Sequence, residues 1–197
     1  MFCESCSESV STGEAKPSDI LMNEHRIIER VLDATERMLE AKVIDKEFLT
    51  KAVDFFRNFA DGCHHAKEEE EYFPLLERRG VPVQGGPIGC MLNEHDLGRA
   101  LVKKIAANLD AADNGDDEAA QTVRHCAHQF IELLREHIQK EDKVLFVMGD
   151  AVLSAEDKKN QIEAFSQAKH CNPDKHTHFL ELADELSQWS FAIGAKS

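Results

Sequence analysis

Apolar residues recur every three or four positions through most of the chain, which is the spacing of helices that bury one face. The repetition stops at a segment rich in Gly and Pro, residues 80–87, and at an Asp-Asn-Gly-Asp turn, residues 113–116. These breaks predict four long helices followed by two more, at about 18–41, 45–78, 87–111, 117–148, 154 onward and 172–193.

Local signals indicate where several of these helices begin and end. Ser18 or Asp19 is a suitable N-cap for the first helix, and Asp45 begins the second. Gly149 and Asp150 are expected to end the fourth helix.

The alternation of short and long helices predicts an all-α protein, an antiparallel four-helix bundle with two additional C-terminal helices. Residues 1–17 are expected to form a disordered N-terminal tail, because Ser, Glu and Gly dominate there without an apolar period. Residues 18–150 would form the bundle, and residues 151–197 would form a helical extension packed on it.

Composition indicates which partners are disfavoured and which cellular compartment is expected. The formal net charge of −14 argues against nucleic acid or an anionic membrane as a partner. The sequence lacks a signal-peptide pattern and a long apolar run, and its six cysteines are scattered. We therefore expect mostly reduced cysteines and a cytoplasmic location. Cys3 and Cys6 form a CxxC pair, which we interpret as part of an unremarkable tail in preference to a redox or metal clip.

A repeated motif carries the candidate chemistry. His64 and Glu68 lie four residues apart, and the same spacing returns at His137 and Glu141. Four residues place two side chains on one face of an α-helix. An Asn-Glu-His triplet precedes each copy and ends at His25 and at His95, so that each half supplies two His and one Glu. The candidate metal ligands are therefore His25, His64, Glu68, His95, His137 and Glu141.

Metal explains why an apolar core would contain these groups. Each His alone would be interpreted as a half-exposed residue, but the same residues at the same spacing, twice, favour a site. Burying two carboxylates among Phe and Leu without cations would cost several kcal/mol each. Imidazole combined with carboxylate suits iron or manganese. Lys67, Lys140 and Glu69 to Glu71 are expected to lie at the surface.

The helical phase favours His64 over His65 as the inward residue. Val53, Phe56 and Ala60 step by three or four positions into His64, whereas the frame through His65 meets Asn58 and Asp61.

The four elements NEH, HHxKEExxYFP, NEH and HIQKEDxxLF resemble the hemerythrin-like, or HHE, cation-binding domain over about residues 18–150. The resemblance implies two non-haem iron ions bridged by Glu68 and Glu141, with an oxo or hydroxo bridge. It also implies a small diatomic ligand or peroxide as partner. In a related iron-sensing domain the residue after the second-helix His is itself a ligand. His65 could therefore be a further ligand, although we favour a supporting or surface role.

One position departs from the oxygen-carrying hemerythrins, which have a second His four residues along the third helix. Arg99 stands at that position here. Six ligands without that His would leave free coordination positions on both ions. This arrangement favours redox chemistry over reversible oxygen carriage.

The first functional hypothesis is therefore a di-iron protein interacting with dioxygen, nitric oxide or peroxide in sensing, scavenging or iron homeostasis. The alternatives are a di-iron enzyme, such as a peroxide or nitric-oxide reductase or an iron-centre repair protein, and an iron-responsive regulatory module.

The other histidines carry weaker signals. His125 and His128 fall outside the ligand frame and are expected at the surface. His170, His176 and His178 surround the start of the last helix, where a minor metal clip with Cys171 is the less favoured interpretation.

Overall fold

A computed structural model describes residues 15–40, 44–167 and 171–194 of the 197-residue chain. Cys3, Cys6 and His170 lie outside these residues, as does nearly all of the expected tail. The described residues form six helices and no strand: α1 Pro17–Leu39, α2 46–78, α3 Pro87–Asp113, α4 117–152, α5 Ala155–Gln167 and α6 Pro173–Gly194. The all-α prediction is confirmed.

Helices α1 to α4 form the antiparallel bundle, and α5 and α6 are the two additional C-terminal helices. Helix α6 packs against α1 and α2, where its buried Phe179 lies 6.2 Å from Phe55 between ring centroids. Trp189 of α6 meets the edge of Phe48 at 6.0 Å. The last helix therefore shares the apolar core of the bundle.

A disulfide joins Cys63 of α2 to Cys171, just before α6. The expectation of mostly reduced cysteines is wrong for this pair, while Cys90 and Cys126 are free. Because Cys171 is bonded to Cys63, the alternative of a metal clip at Cys171 is also wrong.

Two helix starts differ in how well they follow the predicted caps. Asp45 caps α2 as expected, and its carboxylate accepts from the Phe48 amide at 3.0 Å. Helix α1 instead begins at Pro17, one residue before the predicted cap, with Lys16 at the N-cap position and no side-chain cap. Pro suits this first position because its missing N–H needs no partner there.

Helix α4 continues through Gly149 and Asp150 to Val152, so its predicted end is wrong. Gly149 has a packing role, because a Cβ at this position would collide with the Tyr72 hydroxyl. Asp150 accepts from the Ser18 hydroxyl at 2.8 Å and thereby joins α4 to α1.

Two apolar clusters occupy opposite ends of the bundle. One contains Ile28, Phe56 and Phe130, and the other contains Leu21 and Phe146. Along α1, α2, α3 and α4 the candidate ligands fall between residues of the two clusters. The polar residues therefore form a layer enclosed by apolar residues on both sides.

Helices α2 and α4, which each carry a His and a Glu of the site, widen near these residues. Three stretches have π-helical bonding: Phe56–His65, Glu68–Tyr72 and Glu141–Leu145. The amide of Phe73 donates to the Glu68 carbonyl, and the amide of Phe146 donates to the Glu141 carbonyl, each across five residues. The same distortion thus occurs at the Glu of both repeats, and such bulges are common at functional sites.

Candidate metal centre

The six sequence-predicted site residues meet in one buried layer at the centre of the bundle. Each has at most 1% of its surface exposed. Helix α1 contributes His25, α2 contributes His64 and Glu68, α3 contributes His95, and α4 contributes His137 and Glu141.

Each of the two glutamates lies between histidines of both halves. Glu68 has Oε1 at 3.6 Å from His64 Nε2 and Oε2 at 3.5 Å from His95 Nε2. Glu141 Oε2 is 3.2 Å from Nε2 of both His25 and His137. The Nε2 atoms of His95 and His137 also face each other at 3.1 Å. Each carboxylate therefore lies within 3.6 Å of one histidine from each half of the chain.

Four further carboxylates hold the outer nitrogens of these histidines. The Nδ1 pairs are His25–Asp142 at 2.6 Å, His64–Glu24 at 3.1 Å, His95–Glu69 at 2.6 Å and His137–Glu94 at 3.0 Å. A carboxylate at Nδ1 favours the tautomer with its proton there, which leaves the Nε2 lone pair free for a metal ion.

The apolar spacing of the helices does not identify these supporting carboxylates. Glu69 was expected at the surface, yet it is only partly exposed and binds both His95 and Arg99. The surface prediction is wrong for Lys67, which is 5% exposed and contacts Glu24, while the partly exposed Lys140 makes the equivalent contact to Glu94. The signal was available, because both the Glu of each Asn-Glu-His triplet and the Lys of each copy are repeated.

His65 also enters the site, contrary to the phase argument. It is 7% exposed, and its ring stacks on His95 with 3.8 Å between centroids. Neither ring nitrogen makes a hydrogen bond within the described part of the chain, although Asp61 lies 3.5 Å from Nδ1. The π-helical stretch explains the difference, because a wider turn rotates successive residues through a smaller angle and brings both His64 and His65 inward.

The ligand atoms divide into two groups that share Glu68. Within each group the atoms lie within 4.8 Å of one another: His65, Glu68, His95 and His137 in one, and His25, His64, Glu68 and Glu141 in the other.

Several buried atoms at the centre make no hydrogen bond to any described residue. They are Nε2 of His25 and His64, and both carboxylate oxygens of Glu68 and of Glu141. Buried polar atoms are normally paired, because leaving them unpaired costs free energy. These orphaned atoms are the nitrogen and oxygen donors that a borderline or hard cation needs, so the residues fit a metal pair.

In the metal-free centre, burial and neighbouring charges shift the pKa values of the site residues in different directions. Burial, and then the neighbouring Glu141 carboxylate, raise the pKa of Glu68 well above its ordinary value. Burial, and then the nearby His25, lower the pKa of His64 to about 4. Burial also works to lower the pKa of His137, but Glu141 and Glu94 outweigh it and raise that pKa to about 9. Two cations would relieve the repulsion between the carboxylates and bind the imidazoles in their neutral form.

The remaining histidines lie apart from these groups. His125 and His128 are exposed on α4 as predicted, and His178 is exposed on α6. His176 is partly buried, with its Nε2 3.8 Å from the Glu24 carboxylate.

None of the helices in the described ranges is long and apolar enough to cross a membrane.

Comparison with known proteins agrees with the geometry. The profile of the hemerythrin HHE cation binding domain matches residues 16–148. Uncharacterised proteins of Mycobacterium bovis and Mycobacterium tuberculosis are 27% identical to the chain over 158 residues, covering 78% of it. The chain spans 61% of the length of these relatives. No solved structure gives a significant match. With its His and Glu groups compatible with a metal site, the chain belongs to the hemerythrin HHE cation-binding domain family.

Proposed function

We propose that this protein holds a non-haem di-iron centre and uses it to interact with dioxygen, nitric oxide or peroxide. The observation that carries the proposal is the position of Glu68 and Glu141. Each is buried between histidines of both halves, with oxygen atoms that make no hydrogen bond among the described residues. Two carboxylates shared in this way suit a pair of ions better than a single structural ion.

The proposed ligands are the six predicted residues together with His65. One ion would be held by His65, His95 and His137, the other by His25 and His64, with Glu68 and Glu141 between them. The close stacking of His65 on His95 and its unpaired nitrogens support its inclusion. The sequence-based expectation of two equally open ions is replaced by an unequal pair, in which the ion with two histidines keeps more positions for a small molecule.

The protein's own residues would set the conditions for the chemistry. Iron supplies electrons and open coordination positions for a diatomic molecule or peroxide. The carboxylates at Nδ1 of the four histidines keep each ring in a fixed orientation and tautomer. The apolar clusters enclose the layer on both sides along the bundle. We also propose that residues 18–150 supply the centre and that residues 151–197 are a helical extension packed on the bundle.

Metal analysis tests the stoichiometry. Metal-free protein titrated anaerobically with ferrous iron should bind about two ions per chain. Glu68→Ala should weaken both sites together, because both groups of ligands share this residue. Glu136→Ala, an exposed position beside His137, is the matched control and should bind iron like the unmodified protein. One ion per chain, or unchanged binding in Glu68→Ala, would refute the proposal.

The small molecule is tested separately. Anaerobic ferrous protein is mixed with dioxygen, nitric oxide or hydrogen peroxide while its visible spectrum is followed. At least one of the three should change the spectrum within seconds at one equivalent. Spectra unchanged by all three would contradict a role in small-molecule chemistry.

A further inference from the structure

A cavity of about 370 Å³ lies between α2, α3 and α4 and reaches the metal layer at His65, His95 and His137. A water molecule occupies about 30 Å³ of liquid, and a diatomic molecule is of similar size. The cavity is therefore far larger than a diatomic ligand requires. Its volume falls in the range of sites that bind small organic molecules, roughly 300–1,000 Å³.

The walls of the cavity are apolar beyond the histidines. Phe56, Val102, Phe130 and Leu134 line it, and all four are buried. His65 follows Phe56 by nine positions along α2, which corresponds to roughly 13 Å at most. A ligand that fills this space needs an elongated apolar part.

Gly98 keeps part of the cavity open. It lies in the interior of α3, where Gly is less favourable than Ala. A Cβ at this position would meet Phe130 at an ordinary contact distance of 3.5 Å, so the backbone and neighbours do not demand Gly. The residue instead leaves free volume beside His95.

Two charged side chains line the cavity without an ion-pair partner among the described residues, and both are positive. Arg99 is paired with Asp61 and Glu69, and Glu94 is paired with Lys140. Arg57 and Lys103 are exposed at the end of the cavity away from the histidines, and neither makes an ion pair among the described residues. Two cations that line the same cavity without an ion-pair partner among the described residues are notable on a chain with a net charge of −14.

We propose that this cavity binds a medium-chain monocarboxylate. Its carboxylate lies between Arg57 and Lys103, and its hydrocarbon tail extends along Phe56 and Phe130 toward His65. Apolar walls with a few placed polar groups at one end are typical of such sites. The proposal goes beyond the function proposed above, because none of its contacts requires a metal ion.

Calorimetric titration of the metal-free, full-length protein with decanoate, below its micelle concentration, tests the proposal. Decanoate should bind in a 1:1 ratio. Decyltrimethylammonium, with the same chain and the opposite charge, should bind at least tenfold more weakly. Each exposed ion pair is worth up to about fivefold in affinity. The double variant R57Q/K103Q should therefore bind decanoate roughly tenfold more weakly, whereas K104Q, at the adjacent exposed lysine outside this cavity, should not change binding.

Two substitutions at Gly98 test the location. G98L fills the cavity and should abolish decanoate binding. G98A adds only the tolerated Cβ, keeps the helical circular dichroism of the unmodified protein, and should shift the preference from decanoate toward octanoate. G98A also keeps the test valid if G98L does not fold.

Several outcomes would overturn the proposal. They are no decanoate binding, equal affinity for the cationic analogue, and unchanged affinity in R57Q/K103Q or in G98A and G98L. If decanoate binds only to the iron-loaded protein and its affinity is the same in R57Q/K103Q, then its carboxylate ligates the metal centre. That result would also overturn the proposal. The iron stoichiometry is measured in a separate experiment. A negative result with decanoate therefore does not decide whether the protein holds a di-iron centre.

Discussion

At the scale of single residues, the two halves of the site use the same contacts in different surroundings. Glu24 supports His64 and contacts Lys67, and Glu94 supports His137 and contacts Lys140. The side chain of Lys67 is 6% exposed, whereas that of Lys140 is 39% exposed. The same substitution in the two halves should therefore affect metal affinity alike and stability differently.

Glu94→Gln and Glu24→Gln should each weaken iron binding by about 10- to 100-fold, the usual effect of removing a carboxylate that orients a ligating His. Glu24→Gln should also destabilise the metal-free fold by about 3 kcal/mol, because it leaves the buried Lys67 ammonium without its carboxylate. Glu94→Gln should cost less stability, since water can solvate Lys140 and Glu141 still lies 3.2 Å from the His137 ring. Iron titration and thermal unfolding of both metal-free variants measure these effects.

Glu136→Gln serves as the control for charge, because Glu136 is exposed on α4, and no hydrogen bond or ion pair within the described ranges joins it to a site histidine. Equal loss of stability in the Glu24 and Glu94 variants would contradict the role given to the burial of Lys67.

At the scale of helices, the apolar spacing predicted where the helices lie, and the repeated motif predicted six inward residues. The π-helical stretches could not be predicted from the same spacing, because a bulge changes which backbone groups pair while leaving the sequence order of apolar residues intact. The bulge over residues 56–65 brings His65 inside together with His64. Gly149 was interpreted as a helix end because the sequence alone could not place the Tyr72 hydroxyl against it.

The disulfide connects the ligand-bearing α2 to α6 beside His64. Reducing it, or substituting Cys171→Ala, removes a crosslink between positions 108 residues apart. A loop of that length restricts the unfolded chain by about 4–5 kcal/mol. The melting temperature should therefore fall by on the order of 10 °C. Thermal unfolding with and without dithiothreitol measures the change.

Cys90→Ala is the control, because Cys90 is a free, exposed cysteine, and this variant should keep the full sensitivity to reductant. A melting temperature that dithiothreitol leaves unchanged would contradict a stabilising disulfide. A reducing cytoplasm, the compartment expected from the sequence, would act on this bond in the same direction as dithiothreitol.

At the scale of the whole molecule, metal binding and folding are linked through the buried layer. Burial is the largest cause that lowers the pKa values of His64, His65 and His95, which favours their neutral forms in the folded metal-free protein. For His25 and His137, nearby carboxylates outweigh burial and raise the pKa. The contributions of these two sets of histidines to stability therefore change with pH in opposite directions.

The metal-free protein should therefore be most stable between about pH 6 and 7. Below the ordinary His pKa of about 6.5, the unfolded chain gains protons that His64 binds only near pH 4 in the folded state, so stability falls with acidification. Above pH 6.5, the folded state retains the His137 proton up to about pH 9, so the stability from this group is lost as pH rises. Iron bound at His137 would displace this proton, so the stabilisation by metal should grow with pH up to about pH 9. Melting temperatures of metal-free and anaerobic iron-loaded protein, compared from pH 5 to 8.5, should separate progressively as pH rises. A constant gap across that range would contradict the linkage between His137, metal and fold.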